Sequence, residues 1–147
     1  MDPYHEVYVE DLRNLALEIA ATGHLPLLTI YPALYYDGIA ADEITAYEPM
    51  LWAGERFSPD MLTELHRKHE AIRTVAATTA APSVDLQGLF RKFTGRERAG
   101  LFLDEMHPSI PGHQQIGEMI GAVTAELISE TGLHAKRSAR SGPDSGT

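Results

Sequence analysis

The sequence predicts an α/β fold built on a parallel sheet. Helical and extended patterns alternate along the chain, and that alternation is the first observation behind the prediction. The second is the apolar run Leu25 to Tyr31, which lacks polar alternation, as does a strand covered on both faces. The third is the set of amphipathic segments flanking such runs, each with its apolar residues on one stripe.

The elements follow in order. Over residues 7 to 22, Tyr8, Leu12, Leu15, Ala16, Ile19 and Ala20 recur at three- and four-residue steps, and Gly23 supplies a left-handed stop. The first strand spans Leu25 to Tyr31, with Pro26 confined to its start and Pro32 closing it. Residues 33 to 57 show no clean period, so they form a lid or a locally helical insertion. Their aromatics (Tyr35, Tyr36, Tyr47, Trp52 and Phe57) either wall an apolar pocket or cap the core.

Residues 59 to 79 give the clearest helix. Ser58 is its N-cap, Pro59 its first residue, and Met61, Leu62, Leu65, Ile72, Val75 and Ala76 its buried stripe. A short second strand is expected over Ser83 to Leu86. Residues 87 to 100 are mixed and broken by Gly95 and Gly100. A last helix covers 113 to 130, with Ile116, Met119, Ile120, Val123 and Leu127 on one face and Gly132 beyond its end. Two short strands are too few for a doubly wound sheet, so the sheet is expected to be incomplete.

Composition bounds the function. The chain has 147 residues, a net charge of −9 and no cysteine. This is the size of one domain. The lack of cysteine excludes a disulfide scaffold, a thiolate zinc site and a cysteine nucleophile. No apolar run nears the roughly 20 residues that span a bilayer. The first residues lack the basic start and apolar stretch of a signal peptide, and the acidity argues against nucleic-acid binding. Lys136, Arg137 and Arg140 against Asp144 make the terminal segment basic, leaving −11 for the rest. Residues 134 to 147 are expected to be a disordered polar tail beyond a domain over 1 to 133.

No metal or cofactor is expected. His66 and His69 lie on neighbouring turns of one helix, but Arg67 and Lys68 between them would repel a cation, so a solvated face is the expectation. The acidic residues Asp37, Asp42, Glu43 and Glu48 lack calcium-loop spacing and read as a solvated loop. Gly-rich phosphate loops are absent.

The sharpest feature is Asp104-Glu-Met-His107-Pro108-Ser-Ile-Pro-Gly112-His113. An acid three residues before a histidine can reach its Nδ1, leaving Nε2 free to accept a proton. Pro108 stiffens the backbone after the histidine, and Gly112 permits the turn into the helix. This stretch resembles the last block of SGNH/GDSL-type esterases and lipases, D-x-x-H-P followed by G-H and a closing helix. The helix over 7 to 22, the strand from Leu25 and the Ser83-Val-Asp-Leu86 segment match the family's layout in order. The resemblance implies a three-layer α/β/α sandwich with a five-stranded parallel sheet of flavodoxin type. It also implies metal-free hydrolysis of an acyl ester, thioester or O-acetyl group on a small molecule, lipid or sugar. Asp104 would then orient His107, and His107 would be the general base.

The family's G-D-S nucleophile block and its G-x-N-D oxyanion block are missing. The only asparagine, Asn14, lies mid-helix, and no serine sits in a G-D-S turn. All the missing blocks belong on the N-terminal side. The expectation is therefore the C-terminal part of such a domain, whether from a fragmentary gene model, an internal start or a split protein. The missing part would hold the nucleophile, three strands and any export signal. The alternative is a non-catalytic interaction module or remnant whose open strand edge and apolar helix faces are completed by a partner chain.

Overall fold

The computed structural model describes residues 3 to 51 and 57 to 131. Trp52, Gly132 and the terminal tail lie outside the described residues. Helix α1 (Pro3–Ala21) leads to strand β1 (Leu28–Ile30). Helix α2 (Ala41–Tyr47), a 3-10 turn (Glu48–Met50) and helix α3 (Pro59–Thr79) precede strand β2 (Ser83–Asp85). Helices α4 (Leu86–Phe90), α5 (Gly95–Gly100) and α6 (Ile110–Thr131) follow. The architecture is mixed α/β, and β1 and β2 pair in parallel with Thr29 opposite Val84.

Helix α3 keeps its expected bounds. The Ser58 hydroxyl accepts the Asp60 amide, Pro59 occupies the first turn, and Ala80 ends the helix in the left-handed region. Gly23 has φ +81°, as its place after α1 requires.

Other expectations need correction. In β1, Ile30 is buried but Leu28 and Thr29 are only half-buried, and Leu25 is exposed. The apolar run marks surface that the described layers do not fully cover. The same holds for α1. It packs on α3, burying Ala16, while Tyr8 and Leu15 of its expected stripe stay exposed. The second strand ends at Asp85, because the Asp85 carboxylate accepts the Gly88 amide and caps α4. Gly95 and Gly100 bound a helix rather than break one.

The insertion takes the helical alternative and carries much of the core. Leu34, Tyr35, Tyr47 and Leu51 pack with Val84, Leu86, Phe90, Phe102 and Ile116. Glu43 is half-buried and hydrogen-bonded rather than freely solvated. It accepts the Gly95 amide at 2.6 Å and bonds the Tyr36 and Tyr47 hydroxyls. Those contacts, with the Gly95 amide first, hold its carboxyl below the ordinary range despite some burial. One acid thereby ties α2 to the start of α5.

Candidate active site

The residues from Leu101 to Ser109 form a tight loop between α5 and α6. Phe102 and Pro108 make an antiparallel bridge. The Leu103 amide donates to the His107 carbonyl at 2.7 Å. Ser109 closes the loop: its hydroxyl donates to the Gly100 carbonyl and accepts the Gly112 amide in the first turn of α6. Gly112 lies inside that helix, and its role differs from the expected turn. A methyl group there would overlap the Leu101 carbonyl, so the need is for close backbone approach.

Inside the loop, Asp104 faces inward and His107 outward. The Asp104 side chain is 13% exposed and that of His107 is 73% exposed. One Asp104 oxygen accepts the Met106 and His107 amides at 2.9 and 2.8 Å. Both carboxylate oxygens lie 2.8 to 2.9 Å from His107 Nδ1. Burial alone would raise the Asp104 pKa. The two amides and the imidazole outweigh it and hold the carboxyl below its usual range. An ionised carboxylate only accepts hydrogen bonds, so the Nδ1 position carries the imidazole hydrogen. In the neutral ring, Nε2 then carries the lone pair. Among the described residues it has no hydrogen-bond partner.

The loop is fixed to the fold through the segment that follows β1. The Leu34 amide donates to the Glu105 carbonyl at 2.9 Å. That segment is itself clamped. Gln87 accepts the Ala33 amide at 2.8 Å and donates to the Tyr35 carbonyl at 3.0 Å. Arg98, with no exposed surface, donates to the carbonyls of Leu34, Phe90 and Ala33 at 2.5 to 2.7 Å. Its guanidinium also stacks on Tyr36, 4.4 Å from the ring centre. Thus the amide and carbonyl groups of both Ala33 and Leu34 bond partners far along the chain. The Asp104–His107 loop stands on this platform beyond the C-terminal end of β1, the side where open parallel sheets bind ligands.

Sequence reasoning missed Arg98 and Gln87. A lone arginine in an aperiodic stretch gives no sign that it is buried, because arginine is rarely so. It also misplaced His69, which is buried and bonds the Tyr31 carbonyl through Nε2 at 3.1 Å. His66 remains exposed. Among the described residues no group of three or more His, Asp or Glu side chains could hold a metal.

Burial pushes the His69 pKa down, and its bond to Tyr31 offsets this only in part. Below the unfolded value of about 6.5, the unfolded chain takes up a proton that folded His69 resists. This contribution to stability is full above that pH and is lost as pH falls toward the folded value. The slope cannot exceed about 1.4 kcal/mol per pH unit. Urea unfolding between pH 7.5 and 5.5 will show this loss, and His69→Gln will flatten it. An equal slope in the variant would reject the assignment.

No protein-family model, curated protein or solved structure matches the chain. No helix among the described residues is long and apolar enough to cross a membrane.

Proposed function

We propose that this chain supplies the acid–base pair of an SGNH/GDSL-type ester hydrolase. Asp104 orients His107, and His107 is the general base toward a serine carried on polypeptide outside these 147 residues. The observation that carries the reading is the Asp104 carboxylate set against His107 Nδ1 in a pinned loop, with Nε2 free and facing solvent.

The chemistry follows from that geometry. Nε2 takes the serine proton as the hydroxyl oxygen attacks the ester carbonyl. The imidazolium, stabilised by Asp104, returns the proton to the departing alcohol and leaves an acyl-enzyme. A water deprotonated by the same Nε2 then releases the acid. The serines of the described residues are otherwise committed or remote. Ser109 bonds Gly100 and Gly112, Ser58 caps α3, and Ser83 and Ser129 are exposed on other elements.

In this reading β1 and β2 are two neighbours of the five-stranded sheet of a three-layer sandwich. Among the described residues each pairs on one side only. The exposed Tyr4, Val7, Leu15 and Leu17 on α1 also favour completion by further polypeptide. A purely structural partner would use the same surfaces and leave His107 idle.

Nitrogen NMR of the His107 ring tests the pair directly. With the ring neutral, the proton is expected on Nδ1 and the lone pair on Nε2. Asp104→Asn is expected to abolish that preference. A neutral ring protonated at Nε2 in the unaltered chain would refute the base assignment.

A further inference from the structure

Beside the Asp104–His107 loop, a groove of about 380 Å³ runs between the start of α3 and the segment after β1. Ala33, Tyr35, Met61, Leu62, Leu65 and Met106 line it. That size suits the apolar part of a small ligand. Methionine side chains adapt to flexible apolar guests, and one stands on each side. Glu105 and Met106, the residues just before His107, form one wall, so the groove borders the loop that carries the base. Asp60, Glu64, Glu105 and Lys68 also stand along it, and Glu64 is paired with Arg67 at 3.0 Å. The chain's net charge of −9 favours a neutral guest over an anionic one.

We infer that the groove holds the apolar acyl chain of a neutral, medium-length ester. A small O-acetyl group would leave it unfilled. This rests on the ester-hydrolase reading, but binding can be tested without the nucleophile. The chain labelled with carbon-13 at its methionine methyls is titrated with methyl octyl ketone, an uncleavable stand-in for the ester. The Met61 and Met106 methyls are expected to shift saturably, and the Met119 methyl on α6 to stay in place. Each methylene buried tightens binding roughly 4-fold, so methyl butyl ketone should bind at least about 10-fold more weakly. Decanoate should bind more weakly than the octyl ketone. Leu65→Trp should fill the groove and remove the shifts, with an unmoved Met119 signal reporting an intact fold.

Equal affinity for the two ketones, tighter binding of decanoate, or shifts that survive Leu65→Trp would overturn the inference. So would silence at Met61 and Met106. None of those results touches the His107 tautomer. Conversely, chain-length-dependent binding with the wrong tautomer would refute the hydrolase reading and leave the groove as a site for apolar chains.

Discussion

Arg98→Met is expected to destabilise the fold by roughly 3–5 kcal/mol. Methionine fills much of the same space but donates nothing. The Ala33, Leu34 and Phe90 carbonyls would all lose their guanidinium donor in a buried setting. A buried acceptor left without a partner costs about 1–3 kcal/mol, and some relaxation reduces the sum. Burial also lowers the pKa of Arg98, yet Tyr36, Tyr47 and Glu43 around it favour the charged form. Urea unfolding followed by circular dichroism measures the loss. A change under about 1 kcal/mol would mean the three bonds are dispensable. The effect should reach the candidate site, because Leu34 holds Glu105. In the variant, His107 should lose its fixed ring orientation. Lysine is a poor substitute, because a single ammonium cannot reproduce the planar fork that reaches three carbonyls.

The second large effect is on turnover. In a polypeptide that contains both this chain and the nucleophile, His107→Ala should lower ester hydrolysis by about 10⁴-fold or more. Its stability should hardly change, within about 0.5 kcal/mol, because the ring is mostly exposed. That split separates His107 from Arg98, whose loss acts through the fold. Retained turnover in the alanine variant would remove His107 from the mechanism.

What was legible in the sequence was local. Asp104, His107 and the intervening amides are bonded across three residues or fewer, so their spacing encodes their geometry. The Ser58–Pro59 start of α3 is equally local. The parallel strand pair was legible from alternation, though both strands proved shorter than the apolar runs that mark them. The rest was hidden because it is long-range. Gln87 and Arg98 bond a segment more than fifty residues away, and no pattern within a helix or strand announces such a partner. His69 misled for the same reason: its neighbours on the helix are charged, but the Tyr31 backbone lies against it. Burial of β1 and α1 was overestimated because apolar periodicity reports what a face could cover, not how much lies against it. Gly112 was chosen correctly for the wrong cause, since the constraint is the Leu101 carbonyl from the preceding turn.

Fluorophosphonate labelling of the native polypeptide that carries this chain, with the labelled peptide then sequenced, decides whether His107 serves a serine nucleophile. One labelled serine is expected outside residues 1 to 147, with labelling that collapses in His107→Ala and no labelling of these residues alone. A native polypeptide that takes no label, or a label on Ser58 or Ser109, would contradict that expectation.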